Sequence, residues 1–145
     1  MRSSRRRSPN LGDVSEERDP ELEAVVAAFY AAFDNRGSRV PDAQELLVLF
    51  GPEATVTRVA GDDVETWSAQ QFVAPRIAIL TDGTLTEFHE WETESRTFVS
   101  GSIAARWSTY EKESAASRGG GQKVIHLRRA GGSWVISSLL WEDRL

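Results

Sequence analysis

At 145 residues, with 40% hydrophobic residues including five Trp and six Phe, the chain holds enough for one core and too little for two ordinary domains. No run approaches the roughly 20 apolar residues of a membrane span, and the lack of cysteine excludes disulfides, thiolate nucleophiles and cysteine-based metal sites. Net charge is −5, yet Arg2, Arg5, Arg6 and Arg7 crowd the start, so the remainder is more acidic still, whereas a nucleic-acid binder carries a basic face on its folded body.

Residues 1–18 read as a disordered basic tail and residues 19–145 as one folded domain. No apolar segment follows the arginines, so the tail is not a secretory signal. A cytoplasmic home is expected, with no membrane and no nucleic acid as partner.

The first helix starts at Asp19-Pro20, a capping residue followed by a proline whose missing N–H is harmless at the first helical position. Leu22, Val25, Val26, Phe29 and Phe33 form one apolar stripe, and Gly37 closes the segment. Asp42 caps a short second helix with Leu46, Leu47 and Phe50, stopped by Gly51-Pro52. The alternating run Ala54 to Ala60 predicts a strand, turned at Gly61-Asp62-Asp63 into a partner ending near Trp67. Ser68 and Gln71 make a capping box for a third helix, which Pro75 is expected to kink or restart.

From Thr84 onward the pattern predicts antiparallel sheet. Thr84 to Phe98 is one long strand, and Ser100-Gly101 turns it into Ser102–Glu113, whose Ile103, Ala105 and Trp107 alternate with polar neighbours. Gly119, Gly120 and Gly121 read as a hairpin tip, since no GK[ST] follows as a phosphate loop would need. Lys123 to Arg129 and Trp134 to Glu142 complete the sheet, joined at Gly131-Gly132.

VVAAFYAAFDNRG and LLVLFGPEATVTRVAG, followed by SIAARWSTYE and IHLRRAGGSWVISSLLWEDRL, resemble the nuclear transport factor 2-like superfamily, and in particular its SnoaL-like and uncharacterised bacterial members. The resemblance covers about residues 20–142 and implies an α+β fold. In that fold a cone-shaped, curved antiparallel sheet wraps three N-terminal helices (a cystatin-like roll), leaves a pocket at its mouth and often dimerises through the sheet. Ketosteroid isomerase belongs to the same superfamily, but its tyrosine donor falls at Phe29, its base at Arg58 and its protonated aspartate at Ile125. That proton transfer therefore lacks its base. A histidine frequent in the bacterial branch is Ala105 here.

Strand parity selects the candidate pocket. The apolar face Ile103, Ala105, Trp107 is taken as inward and extended to Thr109 and Glu111. Matching the relatives turns Ala54, Val56 and Arg58 inward on their strand, and Trp134, Ile136, Ser138, Leu140 and Glu142 on the last. The expected pocket is lined by Phe29, Arg58, Trp67, Trp107, Glu111, Ile125, Ser138 and Glu142. Arg58 would hold a carboxylate or phosphate in its planar fork, or else pair with Glu111 or Glu142.

Arg106, Tyr110 and His126 are assigned to the outer face as a homodimer surface. His89 lies in HEWE, which lacks the HExxH spacing of a zinc helix, and no metal or cofactor is expected. Glu87, Glu90, Glu92 and Glu94 read as a wet strand face. Two functions fit: a module binding a small, partly apolar or acidic ligand as a homodimer, or a cofactor-free cyclase, dehydratase or hydrolase using Glu111 or Glu142 as base.

Overall fold

The computed structural model describes residues 18–144, so the readings of the basic tail fall outside the described residues. Its elements are α1 (Pro20–Ala31), α2 (Ala43–Leu47), β1 (Phe50–Ala60), β2 (Asp63–Ser68), α3 (Ala69–Thr81), β3 (His89–Ser100), β4 (Ile103–Glu113), β5 (Arg118–Ala130) and β6 (Ser133–Asp143). The strands form one six-stranded curved sheet in the order β2-β1-β6-β5-β4-β3, and the helices pack on its inner face. The fold is α+β, as the sequence implied. One pairing departs from the antiparallel pattern: β1 runs parallel to β6.

Local signals explain most boundaries. Asp19 accepts hydrogen bonds from the amides of Glu21 and Leu22 at 3.0 and 3.1 Å, capping α1. It also accepts from Trp134 Nε1 at 3.2 Å, which pins the helix start to β6. Those amides, the Leu22 bond foremost, hold the Asp19 carboxyl below its ordinary value against burial. Ser68 and Gln71 form the expected reciprocal box on α3.

Several expectations need correction. Of the two outcomes expected at Pro75, a restart does not occur: α3 is one helix across it. Gly51-Pro52 does not stop a helix but lies inside β1, in a stretch where the pairing with β6 is irregular and the β2 partners begin only at Thr55. A proline is tolerated where no ladder bond is asked of it. β3 begins at His89, not Thr84, because Asn35 fixes the preceding loop. Its amide donates to Leu80 O at 2.9 Å and Leu85 O at 2.7 Å, and its carbonyl accepts from Phe88 N at 2.7 Å.

The glycine triplet is not a hairpin tip. Gly119, Gly120 and Gly121 belong to β5, opposite Lys112, Glu111 and Tyr110. A methyl group on Gly121 would sit 2.3 Å from Glu142 O and 2.7 Å from Tyr110 Oη, so the strand has no room for a side chain there.

Two shifts of parity reshape the expected interior. On β4 the buried residues are Ala104, Arg106, Ser108 and Tyr110, while Ile103 is 64% exposed. The apolar set Ile103, Ala105, Trp107 therefore faces away from the helices, the reverse of the expectation. On β6, Trp134 and Ile136 face inward as expected. The register then slips between Leu127↔Ile136 and His126↔Ser138, leaving Ser137 as an extra residue. That bulge hands the interior to Leu139, Trp141 and Asp143 and turns Ser138, Leu140 and Glu142 outward.

The core is formed by Leu22, Val26 and Phe29 of α1 with Val56, Ile125, Leu127, Ile136 and Leu139 of the sheet. Among the described residues no helix is long and apolar enough to cross a membrane.

Candidate functional site

Inward residues on adjacent strands fall into rows across the sheet. Arg58, Trp141, Lys123 and Ser108 form one row, running β1-β6-β5-β4. Asp143, Gly121 and Tyr110 form the next, towards the mouth of the cone. Since neighbouring strands lie about 4.8 Å apart, Arg58 and Lys123 stand roughly 10 Å apart with Trp141 between them.

Over these rows opens a cavity of about 270 Å³, walled by Phe29, Phe33, Phe72, Leu139 and Trp141. Its charged lining is Arg58, Arg76, Lys112 and Lys123 against Glu90 and Asp143, four cations to two anions. Lys123 is 5% exposed; its ammonium donates to Glu90 Oε1 at 2.9 Å and lies 3.8 Å from the Tyr110 ring centroid.

Tyr110 and Asp143 lie two strands apart and hydrogen-bond directly across Gly121, Tyr110 Oη donating to Asp143 Oδ1. This contact is why β5 needs a glycine at that point. Burial and the adjacent carboxylate push the Tyr110 hydroxyl far above its ordinary value, so it remains a neutral donor. Burial also pushes Asp143 up, but the Tyr110 bond and the charges of Lys112 and Lys123 outweigh it and hold the carboxyl below its usual value. Lys112 Nζ lies 3.1 Å from Asp143 Oδ2.

The remaining cations are less committed. Among the described residues Arg58 meets only Glu65 Oε1, at 3.6 Å, with both side chains substantially exposed. Arg76 lies over the Phe72 ring at 5.6 Å and makes no ion pair among the described residues.

A second polar cluster lies between α1 and the β3–β4 pair. Arg106 donates from Nε to Glu92 at 3.1 Å, from Nη2 to Glu92 and Glu23 at 2.5 and 3.2 Å, and from Nη1 to Glu23 and Thr97 at 2.6 and 2.8 Å. All five of its N–H groups are engaged. Ser108 Oγ donates to Glu92 at 2.5 Å and receives Tyr30 Oη at 2.7 Å. Burial lowers the Arg106 pKa, but Glu92 and Glu23 more than reverse this, so it stays charged.

Of the residues named from sequence, Phe29 and Arg58 line the cavity, and Ile125 is buried in the inner face beneath it. Trp67 stands behind the wall, stacked on Trp141 at 6.1 Å. Trp107, Glu111, Ser138 and Glu142 lie on the outer face, where Glu111 binds Arg144 at 2.9 Å and Ser138 Oγ lies 3.0 Å from His126 Nδ1. His126 is exposed there as expected, but Arg106 and Tyr110 are not beside it: they are 2% and 1% exposed, inside the cone. Glu90 and Glu92 turn inward too, rather than forming a wet face. The sequence reading missed Lys123, Asp143, Lys112 and Arg76. The strand glycines were the available signal, since a glycine inside a strand marks a close approach by something else.

Solved structures share this architecture. A Nostoc punctiforme protein of unknown function with a cystatin-like fold superposes with a TM-score of 0.65 at 14% identity, over 86% of this chain and 90% of that one. An NTF2-like protein of unknown function from Silicibacter pomeroyi gives 0.62 at 22% identity, over 86% and 94%. The chain has the nuclear transport factor 2-like, cystatin-like fold. A Streptomyces avermitilis protein described as a candidate dehydratase of the NTF2-like family gives 0.65 at 19% identity, over 87% and 95%. No family model and no curated protein matches the sequence.

Proposed function

We propose that this nuclear transport factor 2-like domain binds a small, acidic, partly apolar ligand in the mouth of its cone and works as a homodimer. The observation that carries the ligand is the surplus of cations in the cavity, with Arg58 and Lys123 on either side of Trp141. An arginine in an aromatic-walled cavity, with only a distant and exposed partner, has donors to spare for a carboxylate. The test is calorimetric titration with benzoate and hexanoate. Wild type should bind both and Arg58→Met neither; equal binding by Arg58→Met would overturn the reading.

The homodimer rests on the outer sheet face. Helices α1, α2 and α3 lie on the inner face, leaving Ile103, 64% exposed, and Leu140, 44% exposed, with partly exposed Trp107 on the other. A second copy is the proposed cover. Trp107→Glu should then shift the protein to monomer in light scattering, and a wild-type monomer at tens of micromolar would sink the idea.

A catalytic reading survives in altered form. Glu111 and Glu142 face away from the cavity, so the base would be Asp143, fixed by Tyr110 and Lys112. The Streptomyces avermitilis neighbour described as a candidate dehydratase favours keeping it. Turnover of an acidic ligand by wild type but not by Asp143→Asn would decide for the enzyme.

A further inference from the structure

Beside the cavity runs a groove of about 280 Å³ along the exposed side of α3, bordered by Trp67, Gln71, Phe72, Pro75, Arg76 and Ile79. It differs from the cavity in chemistry: Arg76 is the one charged residue among those bordering it. The two spaces share Phe72 and Arg76, and Trp141 of the first packs against both Trp67 of the second and the shared Phe72. Arg76, making no ion pair among the described residues, stands at the junction. It can lean on Phe72 or turn to an anion without breaking a salt bridge.

We propose that the two spaces form one site for an amphipathic acid. Its carboxylate would lie in the cavity among Arg58, Arg76 and Lys123, and its hydrocarbon tail would cross Phe72 into the α3 groove. This rests on the acidic-ligand reading above. A small polar acid would leave the groove wet, whereas each methylene laid over Trp67, Pro75 and Ile79 leaves water for an apolar surface. Arg76 suits the boundary, since its methylene stem covers apolar surface while its head reaches the anion.

The experiment is titration of the wild-type protein with butyrate, hexanoate, octanoate and decanoate below their micelle concentrations, with octan-1-ol as the neutral control. Once the chain reaches the groove, each added methylene should raise affinity about fourfold, until the groove is full. Octanoate should bind at least tenfold more tightly than octan-1-ol. Ile79→Asn should flatten the rise between hexanoate and decanoate while leaving butyrate binding unchanged. Carboxylate binding that is independent of chain length would overturn the proposal and leave the acidic-ligand reading intact. Failure of every acid to bind, or equal binding of octan-1-ol and octanoate, would overturn both.

Discussion

Arg106 and Arg58 both point into the cone, from neighbouring rows of the sheet, and their surroundings are opposites. Arg106 is 2% exposed, and all five of its N–H groups reach oxygen on Glu23, Glu92 or Thr97. Arg58 is 39% exposed along its side chain and, among the described residues, has a single carboxylate 3.6 Å away. A buried charge whose every donor is used has no capacity left for a ligand; it ties α1 to the sheet. A charge held at a cavity wall with donors to spare is set for something that comes and goes. In this fold the degree of satisfaction, rather than residue type or depth, separates framework from site.

The comparison breaks most visibly at Arg106. Arg106→Met removes the guanidinium and leaves Glu23 and Glu92 facing each other near the core. Both carboxylates are about one-fifth exposed, so the cost should fall at the lower end for a broken buried pair, about 3 kcal/mol. Urea denaturation measures it. A loss below about 1 kcal/mol would mean that the cluster is not the clamp its geometry describes.

Tyr110→Phe comes next and tests whether Asp143 belongs to framework or site. Removing the hydroxyl deletes a bond to a charged acceptor, about 1.5–3 kcal/mol in general, and the partly open setting of Asp143 points to the lower figure. The change has a pH signature. The folded state holds the Asp143 carboxyl below its ordinary value, so its contribution is complete above the ordinary carboxylate range. It is lost as pH falls through the lowered folded value. Tyr110→Phe should therefore flatten the acid limb of stability between about pH 5 and 2 and cost most near neutrality. An unchanged acid limb would show that Tyr110 does not set that carboxyl.

The architecture was legible in the sequence because its signals are local. Asp19-Pro20, the Ser68–Gln71 box and the turns at Gly61, Gly101 and Gly131-Gly132 each act within a few residues. Arg58 was read as inward, and it lines the cavity, on the same parity as the buried Ala54 and Val56 of β1. The rest of the site was not legible, for two physical reasons. The bulge at Ser137 moves every later residue of β6 to the other face, exchanging Glu142 for Asp143, and nothing in WVISSLLWE announces it. On β4 the polar residues go inside because their partners sit on other elements: Glu23 on α1 meets Arg106, and Asp143 on β6 meets Tyr110. Binary pattern assigns faces by hydrophobicity, and a fully paired buried network defeats it.

Trp107 gives a smaller effect. As a core ring, its replacement by alanine would cost roughly 3–5 kcal/mol. On the outer face, where the ring is partly exposed, Trp107→Ala should cost about 1 kcal/mol in dilute protein. If a second copy covers that face, the cost should grow with protein concentration, because the variant also loses what association contributes. Melting curves at two concentrations a hundredfold apart separate the cases. A cost of 4 kcal/mol at both would return Trp107 to a core role.

The smallest stability change should come from Arg58, and it sharpens the contrast with Arg106 most. Its pairing with Glu65 is long and its partner is 58% exposed, so water and side-chain entropy absorb nearly all the attraction. Arg58→Met should alter unfolding free energy by no more than about 0.5 kcal/mol, where the same replacement at Arg106 costs about 3. Its consequence belongs to binding: benzoate affinity should disappear while the melting curve stays in place. Arg58→Lys separates charge from geometry. It keeps the cation but loses the planar fork, so it should recover only part of the affinity for a carboxylate. Full recovery with lysine would reduce Arg58 to a point charge. Strong destabilisation by Arg58→Met would mean that this arginine is framework after all, and the line between used and spare charge would no longer locate the site.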